Sequence, residues 1–487
     1  LSLHLGLDVG TQGTKGLVVD AESGAIVARA SAEYGLIEGL PPGAAEQHPD
    51  TWTDAIRAVA AELMAADGVD PAAFASVGVS GQQHGLVVLD GAGQVVRPAK
   101  LWCDTSTADE ARELSETLGH SVPTGFTASK ILWMARHEPE NWARVERVFL
   151  PHDYVNWLLT DRACMEAGDA SGTGFFDPET RDFRAADVQA IDSRLAGMLP
   201  ELIGAGEAAG TLCSRGAQLL GLPKGVLVSA GGGDNMLSAV GSGASRPGVV
   251  VMSLGTSGTV FTHTLEPVVD PAGLIAPFCA SVGGWLPLAC VMNLTAVSEE
   301  VCSAFGRDHA SLTEAARGVP IGCDGLLWLP FLAGERMPDL PDATGTLLGM
   351  RAGHLSAEVL YRAALEGTSM NLAWAVERMR ALGVGVDAVN LVGGAARNGL
   401  WREILADLLN CPVTPLAEPE SGALGAALQA LWTWRRAQGE DIEAHQVAEP
   451  FIAAGGPATE PDAERSARYA ELGQRFRDEV RARYGDV

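Results

Sequence analysis

An apolar run through Leu5, Leu7 and Val9 carries one carboxylate, Asp8, then breaks into a loop of small and polar residues, Gly10-Thr11-Gln12-Gly13-Thr14-Lys15. Apolar alternation resumes over residues 16–20, so the period-two pattern predicts strand, tight turn, strand, with a third strand at 25–31. Trp52, Ile56, Val59 and Leu63 fall on one face of a helix predicted over 51–66 and opened by Pro49-Asp50. Short apolar runs at 77–80 and 226–229 predict buried strands. The first leads into Gly81-Gln82-Gln83-His84-Gly85, the second into Ala230-Gly231-Gly232-Gly233-Asp234-Asn235 and a helix at 236–240. Between them a helix is predicted over 106–118, and residues 126–160 read as short helices rich in Trp.

The opening pattern returns half a chain length later. Val249-Val250-Val251-Met252-Ser253 leads into Gly255-Thr256-Ser257-Gly258-Thr259 and a further apolar run, with Ser253 where the first copy has Asp8. A repeat this long points to two related domains rather than a solenoid. The turn-rich stretch 242–248 is the expected joint, giving domains 1–245 and 246–487. The second half predicts helices at 295–305, 356–382 and 400–409, and a strand at 389–392 that runs into Gly393-Gly394-Ala395-Ala396-Arg397-Asn398. Small residues at helical spacing over 421–427 predict close packing against a sheet, and 460–484 reads as a charged, solvated terminal helix.

Composition narrows the function classes. A formal charge of −27 argues against nucleic-acid and anionic-membrane partners, and no apolar run approaches the ~20 residues of a membrane span. The eight cysteines form no Cys-x-x-Cys pair, and no signal peptide is visible before the first strand, so a reduced, cytoplasmic protein is expected.

Five places carry candidate chemistry. The loop from Thr11 through Gln12, Gly13 and Thr14 to Lys15 offers backbone amides, hydroxyls and a cation to a phosphate, with Gly10 and Gly13 free to take positive φ and Asp8 placed for a divalent cation. Gln83 and His84 crowd a strand end, where open α/β sheets bind ligands; a plain turn histidine is the alternative. Asp104 reads equally as a helix cap or a hydroxyl-binding carboxylate. Asp234 follows three glycines that leave room for a ligand, which favours a general base over simple capping. Gly393-Gly394 before a helix is a nucleotide-type turn.

Asp8-x-Gly-Thr-x-Gly-Thr-Lys15, Ser80-Gly-Gln-x-His84-Gly, Gly232-Gly-Asp-Asn235, Ser253-Leu-Gly-Thr-Ser-Gly-Thr259, Gly334-Glu-Arg336 and Gly393-Gly394 with Asn398 together resemble the FGGY carbohydrate kinases of the actin/hexokinase/Hsp70 ATPase superfamily, over nearly the whole chain. The resemblance implies an α/β fold of two RNase H-like domains with an interdomain cleft, ATP and Mg²⁺ as cofactors, and γ-phosphoryl transfer to a sugar hydroxyl. Carried onto this sequence, it makes Asp234 the base and Asp8 the metal carboxylate. Thr11 to Lys15, Gly255 and Thr256 would hold phosphates, and Gly393, Gly394 and Asn398 would lie near adenosine. Gln83, His84, Asp234 and Asn235, with Asp104 as a weaker candidate, would hold the sugar. Glu46-Gln47-x-Pro49-x-x-Trp52, Gly81-Gln-Gln-His84-Gly, Pro151-His-Asp-Tyr154 and Ser171-Gly-Thr173 resemble the family's ketose kinases, which implies D-xylulose phosphorylated at C5, with ribulose, ribitol or a glycerol-like polyol as the alternative. Three positions depart from the usual pattern: Gln83 for Met, Ser106 for Arg, and Thr344-Gly345 without the arginine before glycine. The implied partners are a sugar and ATP alone, with a homodimer left open. A non-kinase ATPase of the same superfamily fits less well, because the sugar-type pair Gln83-His84 accompanies Asp234.

Overall fold

The computed structural model describes residues 2–485, arranged as two compact units. The first takes the chain up to Gly241 together with Phe278–Leu286 and Glu420–Phe451; the second takes Ser242–Pro277, Pro287–Pro419 and the described chain from Ile452. A single cut at 245/246 does not describe them. The helix Ser421–Ala437 belongs to the first unit because its small residues lie on that unit's strands.

In the first unit, Leu3–Val9, Gly13–Asp20 and Ala25–Glu33 form an antiparallel meander, and Phe74–Gly81 joins Leu3–Val9 in parallel. Leu227–Ser229 extends the sheet in parallel beyond Phe74–Gly81, with Ala208–Thr211 antiparallel at the edge. Alternation along the strands splits the two faces. Leu7 and Gly16 face the helix Pro49–Met64, where a Cβ on Gly16 would fall 2.5 Å from Val59 Cγ1. Gly6 and Gly78 face the helix Ser421–Ala437, where a Cβ would fall 1.9 Å from Ala423 O and 2.0 Å from Ala426 O. Leu3, Leu5, Leu7, Val18, Trp52, Ile56, Val59, Val77 and Val79 are fully buried in this core.

The second unit repeats the plan. Gly248–Leu254, Gly258–Thr262 and Trp285–Val291 run antiparallel in sequence, and Val386–Val392 and Val413–Pro415 add in parallel beside Gly248–Leu254. The long helix Ala357–Ala381 is buried along most of its length. Two expectations change. The segment 126–160 contains a strand, Arg147–Phe149, that pairs with Val87–Leu89 between helices. The terminal helix Ala463–Tyr484 is charged but not merely solvated: Tyr469, Phe476 and Val480 are buried on one face, and Arg362 donates to Tyr469 Oη at 2.6 Å.

Two stability effects follow from this packing. On Gly425 a Cβ would meet Leu237 O at 1.7 Å, so the helix-propensity gain of a Gly425→Ala change is outweighed by overpacking. Gly425→Ala is expected to destabilise by ~2 kcal/mol or more, read from a denaturant midpoint, whereas Gly197→Ala, with nothing within 4 Å, stays within ~0.5 kcal/mol.

His4 is fully buried, its Nδ1 2.7 Å from Ser76 Oγ and its Nε2 3.0 Å from Ser2 Oγ. Burial pulls its imidazole down to about 4, against the opposing carboxylate of Asp20. The unfolded chain binds the proton at higher pH than the folded one, so this contribution is full above pH ~6.5 and is lost as pH falls toward about 4. Between pH 7.5 and 4.5 the native protein is expected to lose ~2–3 kcal/mol more than a His4→Gln variant in chemical unfolding.

Candidate active site

Sheet register brings the first unit's candidates together. Asp8 pairs with Ser80 across the parallel strands, and Ser80 pairs with Gly232 on the far side. One row further, Val9 pairs with Gly81 and Gly81 with Gly233. Asp8 and Asp234 therefore stand near the carboxyl ends of strands two steps apart, each step ~4.8 Å. Strand ends of this kind are where α/β sheets place ligands.

Ser80 Oγ donates to Asp8 Oδ1 at 2.6 Å, and a Cβ on Gly422 would fall 2.8 Å from Asp8 Cγ. Burial pushes the Asp8 carboxyl up, opposed by the Ser80 hydrogen bond and the charge of Lys15. Asp234 opens the helix Asp234–Gly241, and its Oδ1 accepts from the Asn235 N–H at 2.7 Å and from Asn235 Nδ2 at 3.0 Å. Burial, and next the charge of Asp8, push Asp234 up to about 7, against the hydrogen bonds from Asn235.

The glycines before Asp234 make room for the protein itself. A Cβ on Gly231 would meet Val79 O at 2.6 Å, one on Gly232 would meet Ser281 Oγ at 2.3 Å, and one on Gly233 would meet Gln83 Cγ at 2.7 Å. Gln83 thus lies over Gly233, where its Oε1 accepts from Asn235 Nδ2 at 2.9 Å. Its Nε2 is buried without a hydrogen-bond partner among the described residues. Behind this turn, the fully buried His152 holds Asp169 Oδ2 through Nδ1 at 2.6 Å and faces Asp153 Oδ1 at 3.1 Å. Burial opposes the imidazolium, but these carboxylates outweigh it and raise His152 to about 9.

The hairpin loop is braced from within. Gly10 N–H donates to Gly13 O at 3.0 Å, and Tyr34 Oη donates to Gly10 O at 2.8 Å. Neither Gly10 nor Gly13 takes positive φ; Gly13 is needed because a Cβ would fall 2.7 Å from Ala32 O. Thr11 Oγ1 accepts from Trp102 Nε1 at 2.9 Å and donates to Gln82 Oε1 at 3.1 Å, while Gln12 is exposed and Thr14 Oγ1 lies 3.2 Å from Tyr34 Oη. Lys15 is held by Glu420 at 2.5 Å. Glu420 lies far away in sequence, and nothing in the local pattern signals the pair.

Asp104 is corrected. It is fully buried, and its carboxylate accepts from Ala45 N–H at 2.9 Å, Lys100 Nζ at 3.1 Å, Ser106 N–H at 3.0 Å and Ser106 Oγ at 2.6 Å. The helix that follows, Ala108–Leu118, starts from Thr107. Asp104 neither caps it nor has oxygens to spare for a sugar, because its burial beside Lys100 commits them to the loop.

Within the second unit, Gly255 N–H donates to Ser257 O at 3.2 Å, and Thr256 is exposed in the same turn. Gly393, at φ 92, follows the strand paired with Gly248–Leu254, and a Cβ on it would fall 2.6 Å from Leu254 O. Gly255 and Gly393 therefore lie at the ends of neighbouring strands, and nothing lies within 4 Å of a Cβ on Gly394. Asn398 caps the helix Gly399–Leu409, accepting from Trp401 N–H at 3.2 Å and donating to Thr313 Oγ1 at 2.9 Å and Tyr361 Oη at 3.3 Å. The Gly334-Glu335-Arg336 loop is a structural brace, with buried Glu335 accepting from Met292 N–H at 2.6 Å and Asn293 Nδ2 at 3.1 Å.

Both halves of this arrangement have counterparts. Residues 3–241 match the N-terminal domain of the FGGY family of carbohydrate kinases, and residues 250–434 match its C-terminal domain. The chain belongs to the FGGY family of carbohydrate kinases. It is 38% identical to a xylulose kinase of Haemophilus influenzae over 88% of this chain and 90% of that one. It is 39% identical to a xylulose kinase of Streptomyces coelicolor over 93% and 92%. The crystal structure of xylulose kinase from Rhodospirillum rubrum superposes with a TM-score of 0.90 at 29% identity, over 99% of this chain and 98% of that one. The structure is thus a two-domain α/β FGGY kinase, and among the described residues no helix is long and apolar enough to cross a membrane.

The contact between Asp8 and Gly422 gives a test of the site's geometry. A methyl at 422 would press on Asp8 Cγ from 2.8 Å, so Gly422→Ala is expected to lower the turnover of sugar phosphorylation about tenfold or more. Steady-state kinetics, with thermal unfolding as the control for folding, check it.

Proposed function

We propose that this FGGY kinase transfers the γ-phosphoryl group of ATP to the C5 hydroxyl of D-xylulose, giving D-xylulose 5-phosphate. The observation that carries the reading is Asp234, a half-buried carboxylate held near neutrality at a strand end beside Asp8. A base poised near the working pH takes a hydroxyl proton most effectively. Asp234 would accept the proton of the attacking hydroxyl, and Asn235, bonded to it, fixes its orientation. Gln83 Nε2, buried without a protein partner among the described residues, is a donor suited to a sugar oxygen. His84 and Asn235 complete the sugar side.

The backbone of the 11–15 loop with Lys15, and the turn at Gly255-Thr256, would cradle the phosphates of ATP. Gly394, open on its Cβ side beside the tightly packed Gly393, leaves space for adenosine, with Asn398 holding the adjoining helix. The hard oxygen donors at Asp8 suit Mg²⁺, which when bound would neutralise phosphate charge. Positioning and charge stabilisation then do most of the catalysis. The sugar itself rests on the xylulose kinase names of the relatives described above. The eight cysteines, all free thiols, favour the cytoplasm as the place of reaction.

A second reading keeps the reaction and changes the acceptor to another ketose or a polyol. Ser106 favours it: in place of the usual arginine it turns inward, its Oγ donating to Asp104 at 2.6 Å and accepting from Lys100 at 2.8 Å. Purified protein with ATP and Mg²⁺ should release ADP in response to D-xylulose ahead of D-ribulose, ribitol and glycerol. Stimulation by one of the others alone overturns the substrate. An Asp234→Asn variant should lose ~10²–10⁴-fold in turnover with nucleotide binding retained; near-normal turnover removes Asp234 as the base.

A further inference from the structure

His84 takes φ 61, a left-handed conformation that residues other than glycine adopt rarely. Its ring is hemmed in on three sides. Phe126 lies 4.5 Å away and Phe278 5.9 Å away between ring centroids, and a Cβ on Gly172 would fall 1.9 Å from His84 Nδ1. Its main chain is held just as closely. Lys130 Nζ donates to His84 O at 2.7 Å, and Thr127 Oγ1 donates to the same oxygen at 3.2 Å. Lys130 Nζ also donates to Gly125 O.

One helix supplies both side-chain donors to that carbonyl. Thr127–His137 starts from Phe126, and Thr127 and Lys130 lie three residues apart on one face of its first turn. Lys130 is fully buried, and its two hydrogen-bond acceptors are main-chain carbonyls. A buried ammonium is costly unless its donors are used. Burial pulls Lys130 down to about 7, opposed by the charge of Asp104. Here its donors fasten the one residue of the loop 81–85 that has an unfavourable backbone and an imidazole beside Gln83.

We propose that Lys130, seconded by Thr127, is a positioning residue for sugar recognition: by gripping the carbonyl of His84 it locks that residue's left-handed backbone and stands its ring in the slot formed by Phe126, Phe278 and Gly172. The inference rests on the reading above in which His84 meets the ketose. Lys130 touches no substrate; it acts through His84, on binding and not on the chemical step.

Three variants test it: Lys130→Met, which keeps the length of the side chain and removes its donors, His84→Ala, and the two combined. Lys130→Met should raise KM for D-xylulose about tenfold or more, with kcat and KM for ATP changing by less than about threefold. In the His84→Ala background, Lys130→Met should add less than about threefold, because the two act through one contact. Additive effects, an unchanged KM for D-xylulose, or an equal rise in KM for both substrates overturn the inference while leaving the sugar role of His84 standing. A His84→Ala protein with unchanged KM for D-xylulose overturns that role and the inference with it. Should Lys130→Met not fold, Thr127→Val removes the second donor to the same carbonyl, and an unchanged KM for D-xylulose in that variant overturns the inference.

Discussion

The helix Ser421–Ala437 approaches the strand Leu3–Val9, the strand Phe74–Gly81 and the helix Asp234–Gly241 so closely that main chain rests on main chain. Gly6, Gly78, Gly241, Gly422 and Gly425 each sit where a methyl would collide with backbone or with Asp8. Contacts of this kind leave little slack, because no flexible side chain separates the elements. The two carboxylates of the site hang from them: Asp8 lies against Gly422, and Asp234 begins the helix whose end is clamped by Gly241 against Ser421 O. The spacing of Asp8 and Asp234 is thus set by the absence of side chains.

Charge follows from the same geometry. Burial raises the proton affinity of both acids, the charge of Asp8 adds to it at Asp234, and the cation of the loop, Lys15, is already held by Glu420. The charge of Asp8 beside a buried Asp234 makes this a site that welcomes positive charge. The protein as a whole carries −27, so anionic substrates must be drawn in by local amides rather than by the overall field.

Much of this was legible in the sequence. The internal repeat, the strand-turn-strand loops and the strand ends at Asp8, Gln83-His84 and Asp234 follow from periodicity and turn residues, which are local. What failed depended on partners distant in the chain. Register alone reveals that Asp8, Ser80 and Gly232 form one row. The glycines before Asp234 looked like space for a ligand, yet Gln83 and Ser281 fill that space. Asp104 looked available until Ala45, Lys100 and Ser106 were seen around it. The stripe at 421–427 announced tight packing but not which sheet it would meet, and nothing in the pattern of 126–160 marked Lys130.

The first unit's sheet starts with the third residue, but the helix that covers its glycine-bearing face comes from residues 421–437. During synthesis at ~5–20 residues per second, some 10–40 s separate the strand at 227–229 from that helix. Throughout that interval the glycine-bearing face of the sheet, which also carries His4 and Ser76, lacks the helix that packs on it. Assembly of the first unit must therefore wait for residues 421–437, however early its strands are made.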